Sequence, residues 1–438
     1  MAYRFGSDGA DDFSRAPVPE AATIGPVRIV LIVLAVSIAL PTFLMGAQLG
    51  LNLGLRDTVI ACTLGGVVLG GVAALSAIAG ARSRVSSYML IAAAFGRAGG
   101  NFVNLALGLC VLGWFGVIAM MFGSTLRQMV VQTLPQVGVS AWAICGGAVF
   151  TLTTIVGFKA IDRLSIVLTP LKLALLLCAV VVAVRKHGGL PAWHGTQHAW
   201  PTVSSFVSFV VGGLAGGASL TPDLCRYART PAQAAAASSL AYGVGFPVIL
   251  VLSAIPAILT RQSDLVLIMV QLGLGAAALS IVVLAAWTTD AYNLYVGSLT
   301  LAAVFSRPPR WLLTVIAGIL GTVFGVAGLS ERVVPFLVLL SVAVPPIAGV
   351  YLSHFYLERW RGRPVELAGS EVERRWRLTA FVAWGVGFGV GNWSQELGVR
   401  LTTNAALDSL VTSAVAYLAM SLLPAGRGTA ARCARPLV

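Results

Sequence analysis

Apolar residues in this chain come in long unbroken runs, not in the two-residue alternation of a strand or the one-sided stripe of a surface helix. Charged or Pro/Gly-rich breaks separate twelve such runs, at about 27–54, 58–80, 100–125, 140–158, 161–184, 201–222, 236–260, 275–305, 311–328, 332–353, 377–394 and 405–423. A helix needs roughly 20 apolar residues to cross a hydrocarbon layer about 30 Å thick. Only structures that satisfy their own backbone hydrogen bonds survive there. The pattern therefore predicts an all-α polytopic membrane protein with about twelve transmembrane helices, and a short interfacial helix over Asp264 to Gly273. Two runs carry helix breakers at mid-depth. The first has Pro41-Thr-Phe-Leu-Met-Gly46, and the sixth has Gly212-Gly213-Leu-Ala-Gly216-Gly217 with Pro222 beyond. The sixth run is the first of a second five-helix unit. Interruptions at matching places in two halves point to an inverted-repeat transporter, because unwound backbone is tolerated in a bilayer only where it lines a cavity or an ion site. Close helix packing by small residues, as at Gly66 and Gly70, is the competing explanation.

Composition turns this pattern into a class. Of 438 residues, 58% are hydrophobic and 10% charged, against about 25% charged in soluble domains, so the chain lacks the polar residues to cover a water-exposed surface. The net charge of +13 comes from basic residues scattered through short connections, without the interleaved aromatics of a nucleic-acid surface. It reads as topology. Alternate connections hold 21 and 7 of the Lys and Arg residues, which by the positive-inside rule puts both termini in the cytoplasm. Residues 1–25 are polar, with Asp8, Asp11, Asp12 and Glu20, and make a disordered cytoplasmic tail instead of a signal peptide. The expected division is this tail, a ten-helix core over 26–353 with halves at about 27–184 and 201–353, a cytoplasmic loop over 354–376, two accessory helices over 377–423, and a second cytoplasmic tail over 424–438. The six cysteines are unpaired in sequence and have no zinc spacing. Four histidines, His187, His194, His198 and His354, fall in connections or at a helix end, leaving no material for a metal site or a buried relay.

Ionisable groups at membrane depth cost about 2.5–3.5 kcal/mol on insertion scales and so mark function. Lys172, two residues after Pro170, and Asp290 meet that description. Asp290 closes Trp287-Thr288-Thr289-Asp290 and is followed by Tyr292, Asn293 and Tyr295. These oxygens suit a hard cation or a hydrogen-bonding ligand. Alternatively, Asp290 pairs with Lys172, and the lysine could also snorkel to an interface. Gly113-Trp114-Phe115-Gly116 sets two aromatics between glycines, open to a flat heterocycle or to a neighbouring helix.

Gly-Trp-Phe-Gly at 113–116, Ser219-Leu-Thr-Pro-Asp-Leu-Cys-Arg-Tyr-Ala228 and Trp287-Thr-Thr-Asp-Ala-Tyr-Asn-Leu-Tyr295 resemble the nucleobase:cation symporter family of purine/cytosine permease type, above all bacterial cytosine permeases. Leu340-Ser-Val-Ala-Val-Pro-Pro-Ile-Ala-Gly-Val350, Gly80-Ala-Arg-Ser-Arg84 and Phe95-Gly96 extend the resemblance across about 27–423. It implies a leucine-transporter-type 5+5 inverted repeat plus two C-terminal helices, with alternating access around a mid-membrane site. It also implies roles. Trp114 would stack on the base, and Asp290 takes the place of an asparagine that hydrogen-bonds it. Gly213, Leu214, Gly216 and Asn293 would complete the substrate site. Thr288 and Thr289, with carbonyls near Gly46, would form the Na⁺ site, bordered by the fifth helix and hence by Lys172. Leu214 stands where an aromatic is expected and Val111 where a polar residue is expected, so the departures cluster where specificity is set.

The resulting expectation is a secondary-active importer in the cell inner membrane with no catalysis. It needs no cofactor beyond Na⁺ or H⁺ as coupling ion, and has as partners a small heterocycle and the bilayer, with no nucleic acid and no obligatory protein. A carboxylate only accepts hydrogen bonds, so Asp290 favours cytosine or another aminopyrimidine; hydroxymethylpyrimidine, purine, hydantoin and allantoin are the alternatives. An intramembrane enzyme would need a nucleophile with a base or a metal cluster, and a receptor an extramembrane domain, neither of which the sequence offers.

Overall fold

The computed structural model describes residues 16–130, 134–155, 158–194, 200–305, 307–329, 333–363, 375–397, 401 and 404–422. These residues form helices α1 (Pro26–Ser37), α2 (Leu40–Ser83), α3 (Ser87–Phe95), α4 (Arg97–Val130), α5 (Val139–Ile155), α6 (Phe158–Lys186), α7 (Trp200–Ser219), α8 (Pro222–Cys225) and α9 (Pro231–Ser238). A π-helical turn over Ser239–Gly245 leads to α10 (Phe246–Thr260), α11 (Leu265–Gln271), α12 (Gly275–Val304), α13 (Arg310–Val326), α14 (Val333–Ala343), α15 (Pro345–Trp360), α16 (Leu378–Leu397) and α17 (Ala405–Leu422). Among the described residues, seven helical stretches are long and apolar enough to cross a membrane.

The apolar runs become helices where expected, but the breaks move. The first run is divided at Ile38 and Ala39, whose ψ of 78° and φ/ψ of −125°/160° leave the helical region. Pro41 therefore opens α2 instead of interrupting a helix, as suits a residue with no N–H to give and a preset φ. At 44 residues α2 is about 66 Å long at 1.5 Å per residue, twice a hydrocarbon core. It holds the second half of the broken span and the whole of the next. The bend between them is at Gly54, with φ 72° and ψ 177°, which only glycine adopts without strain. In the sixth run the helix passes unbroken through Gly212–Gly217 and yields at Leu220 and Thr221, before Pro222 restarts it. Glycine can bend a helix, but within the chain's interior it also admits close neighbours. A side chain at Gly213 would lie 2.8 Å from the Met45 sulfur. The seventh run divides at the π-helical turn, and the tenth at Val344 before Pro345-Pro346. The short helix expected over Asp264 to Gly273 is α11, opened by Asp264, whose carboxylate accepts from Leu267 N at 3.1 Å. The expected loop at 354–376 starts too early, because α15 runs on to Trp360. His354 thus lies inside a helix, 3% exposed, with Tyr417 Oη 3.0 Å from its Nδ1.

Besides a core that joins α3, α15 and α16 around Phe95 and Tyr351, two apolar cores organise the packing around the site. One gathers α1, α2, α7, α9 and α10 around residues such as Leu49, Leu69, Val210 and Phe246. The other gathers α4, α5, α6, α12 and α13 around Phe115, Phe150, Leu176, Ile281 and Leu313. Helix α1 reaches into the second core with Ile38, and α12 reaches into the first with Tyr295 and Leu299. Glycine permits a close approach within the second core between α4 and α13, where a side chain on Gly116 would meet Gly325 N at 2.6 Å. The broken end of α1 and the middle of α12 therefore lie on the seam between the cores.

Candidate functional site

The break after α1 strips Ala35, Val36, Ser37 and Ile38 of the next turn of helix, so their carbonyls lack the N–H partners that a continuous helix would supply. Three of these carbonyls are taken up from outside α1. Lys172 Nζ, brought in by α6, donates to Ala35 O at 2.6 Å and Ile38 O at 3.1 Å, and to Thr288 Oγ1 of α12 at 2.7 Å. Thr288 Oγ1 lies 3.2 Å from Ala35 O, and Thr289 Oγ1 donates to Val36 O at 3.3 Å. One turn earlier on α6, Thr169 Oγ1 donates to Leu31 O at 3.1 Å. An ammonium has three protons, and each here meets an acceptor. Lys172 is 0% exposed, with no ion pair among the described residues. Hydrogen bonds to a charged group contribute about 1.5–3 kcal/mol each, which offsets part of the cost of burying a lysine at membrane depth. The lysine nitrogen thereby ties α6 to α1 and α12 at their meeting point.

Thr288, Thr289 and Lys172 are brought together as their sequence positions suggest. Gly46 is not among them. It lies two turns into α2, where an added side chain would come within 2.6 Å of Ser253 Cβ and 2.5 Å of Leu250 O; its role is the contact between α2 and α10. The carbonyls that converge belong to Ala35, Val36 and Ile38. Every residue has a carbonyl, so no side-chain pattern marks these three, and Pro41 is the sole hint that the helix ends just before it.

Asp290 is also 0% exposed, one position beyond Thr289 on α12. It does not pair with Lys172. Its Oδ1 accepts from Asn293 Nδ2 at 3.5 Å, and its Oδ2 has no hydrogen-bond partner among the described residues. An unpaired buried oxygen is expensive to keep, at about 1–3 kcal/mol or more for a charged group. One turn before it, Trp287 Nε1 donates to Thr153 Oγ1 of α5 at 3.0 Å, which fixes the indole against α5. On α4, Trp114 is half-buried and meets Phe336 of α14 edge-on, ring centroids 6.3 Å apart at 69°. Leu214 and Val111 are half-buried against the first core together with Met45 and Trp287. Gly216 faces Val344, whose Cγ1 an added Cβ would touch at 3.8 Å, an ordinary van der Waals contact. Asn293 is half-buried beside Asp290.

The sequence reading missed several buried ionisable groups. Asp223, Arg226 and Arg310 are 4%, 0% and 7% exposed, and Asp408 is 0% exposed. Asp223, Arg226 and Arg310 stand just outside apolar runs, where a linear reading counts them as loop residues, and Asp408 lies in the first turn of the last run.

A family model described as permease for cytosine/purines, uracil, thiamine and allantoin matches residues 17–415. The chain is 26% identical over 407 residues to the cytosine permease of Escherichia coli K12, covering 92% of this chain and 95% of that one. In fold it is similar to Mhp1, a nucleobase-cation-symport-1 family transporter solved in a closed conformation with bromovinylhydantoin bound. The TM-score is 0.80 at 19% identity, covering 93% of this chain and 94% of that one. A Na⁺-coupled sialic acid symporter in a substrate-bound outward-open state superposes with a TM-score of 0.69 at 12% identity, over 96% and 93% of the two chains.

Proposed function

The chain belongs to the family of permeases for cytosine/purines, uracil, thiamine and allantoin, and on that premise we propose that it imports an amino-bearing nitrogen heterocycle, driven by protons, with the Lys172 ammonium as a tethered coupling cation. The observation that carries this reading is the position of Lys172 Nζ, bonded to Ala35 O, Ile38 O and Thr288 Oγ1. These are backbone carbonyls of a broken helix and a hydroxyl of the helix opposite, the donor chemistry that suits a hard cation. A Na⁺ within a few ångströms of this ammonium would be repelled in a low-dielectric interior. Proton loss from Lys172 removes the charge that joins α1 to α6 and α12, and proton gain restores it. Alternating access follows if the two cores part on one side when the link is made and on the other when it is released. The twelve apolar runs then read as two five-helix inverted repeats with two accessory helices, in the cytoplasmic membrane with both termini inside.

Substrate choice rests on Asp290. Its unpartnered oxygen accepts from an amino group or a protonated ring edge and repels an oxo group, so cytosine or another aminopyrimidine fits better than uracil. Trp114 offers a ring face for stacking once Phe336 withdraws. Binding and ion coupling together need no covalent step. Uptake of radiolabelled cytosine, uracil and hydroxymethylpyrimidine into proteoliposomes tests the reading. Accumulation of the amino-substituted rings above uracil supports it, and failure to accumulate any heterocycle under any ion gradient overturns it.

A further inference from the structure

Two helical turns past Thr288, on the same face of α12, stands Tyr295, 1% exposed. Seven residues at 100° each return to within about 20° of the starting direction, roughly 10.5 Å along the axis. Arg226 Nη2 donates to the Tyr295 hydroxyl at 3.3 Å, and the Arg310 guanidinium at the start of α13 lies over the Tyr295 ring with Cζ 4.8 Å from its centroid. Arg226 follows α8. Its Nε donates to Asp223 O at 3.1 Å, its Nη2 also donates to the Tyr227 hydroxyl at 3.3 Å, and its Cζ is 5.0 Å from the Tyr227 ring centroid. The α8 turn lies in the first core through Leu224 and Cys225, and it is also tied to the N-terminal segment, α3 and α15. Ser87 N donates to Asp223 Oδ1 at 2.8 Å, Ile24 N donates to Tyr227 O at 2.7 Å, and Tyr351 Oη donates to Ser219 O at 2.6 Å just before the break. Arg310, by contrast, opens α13, which packs with α4 and α5 in the second core.

Arginine is among the costly side chains to hide at membrane depth, and here one is hidden fully where the two cores meet. We propose that Arg226 and Tyr295 form a clasp that closes the substrate cavity on the face bearing the N-terminal segment, and that this clasp must part for substrate to leave toward that face. Arg226 is a positioning residue: it holds the α8 turn on α12 and touches no substrate. Because Thr288 and Tyr295 share one face of α12, a shift of that helix against α1 at Lys172 is carried to the clasp. The inference rests on the transport reading and its sidedness, not on which ion drives transport.

Cys225, 0% exposed with Sγ 3.2 Å from Ser238 Oγ, adjoins Arg226 and serves as a built-in probe. The experiment uses the full chain with Cys225 as its sole cysteine, in vesicles of known orientation treated with a membrane-impermeant maleimide. Tyr295→Phe, which removes one oxygen, and Arg226→Gln each raise the rate of Cys225 labelling from the N-terminal face by roughly tenfold, on the scale of one lost hydrogen bond to a charged group. Arg226→Lys restores part of the protection, and labelling from the opposite face stays at background. A parallel chain with Cys62 alone, 1% exposed within α2, stays unlabelled if the variants are folded. If Arg226→Gln exposes Cys62 as well, Tyr295→Phe decides. Unchanged Cys225 labelling in Tyr295→Phe overturns the clasp. If labelling rises as expected while the wild type accumulates no heterocycle, Arg226 and Tyr295 still seal this face, but the transport reading falls and takes the clasp's role in substrate exit with it.

Discussion

Lys172 and Asp290 are both wholly buried, on the two sides of one short stretch of α12, yet their surroundings are opposite. The ammonium has an acceptor for each of its three protons, from α1 and α12. The carboxylate has one amide at 3.5 Å and an oxygen with no partner among the described residues. A saturated charge is part of the scaffold in the state seen, and changes role only by losing its proton. An unsaturated one can take a further donor, which under the proposed function comes from the substrate. Equal burial therefore goes with two different hydrogen-bonding states, and under the proposed function the saturated one serves coupling and the unsaturated one recognition.

Removing the lysine gives the largest expected effect. Lys172→Ala leaves the carbonyls of Ala35 and Ile38 and the hydroxyl of Thr288 facing one another with no donor from α6. Proton-driven accumulation falls to background while exchange of labelled for unlabelled substrate persists. Added Na⁺ restores part of the uptake, because the remaining oxygens suit a hard cation. Uptake under a pH gradient measured with and without Na⁺ checks this, and accumulation equal to wild type would reduce Lys172 to a structural pin.

Asp290→Asn keeps the shape, removes the charge and adds a donor. Preference between amino- and oxo-substituted pyrimidines shifts by about tenfold to a hundredfold, the scale of a hydrogen bond to a charged group, as read by competition against labelled cytosine. Equal loss for every ligand with binding intact would move Asp290 from recognition to coupling and erase the contrast with Lys172. Trp114→Ala removes one stacking face. At about 1–3 kcal/mol per stacked base, affinity drops roughly fivefold to over a hundredfold with membrane expression unchanged, and an unaltered binding isotherm would leave Trp114 as packing against Phe336.

Much of this contrast was legible in the sequence, and what was not has physical reasons. Lys172, Thr288, Thr289 and Asp290 stand out because a polar side chain in an apolar run has few excuses. The other half of the lysine site was invisible, because it consists of backbone carbonyls whose exposure depends on where α1 ends. Pro41 was read as the break itself, although proline is at home in a helix's first turn. Gly213 and Gly216 were read as unwinding the sixth span, but the helix continues through them, with the Met45 sulfur against Gly213. Arg226 and Arg310 were counted as loop charges, since nothing in a linear reading shows that Tyr295 waits between them.

Thr289→Val has the smallest expected effect. It removes one neutral hydrogen bond at 3.3 Å, of about 0.5–1.5 kcal/mol, and slows uptake severalfold without changing substrate preference. A loss as severe as that of Lys172→Ala would show that Thr289 holds the coupling ion and that the ammonium does not.

The most direct test is accumulation of labelled cytosine by the wild-type protein in Na⁺-free proteoliposomes with an imposed pH gradient, acid outside. The tethered-cation account predicts uptake against a concentration gradient with no Na⁺ present, approaching about tenfold per pH unit for one proton per neutral substrate. It also predicts collapse when a protonophore is added. Uptake that needs Na⁺ and ignores the pH gradient would contradict it.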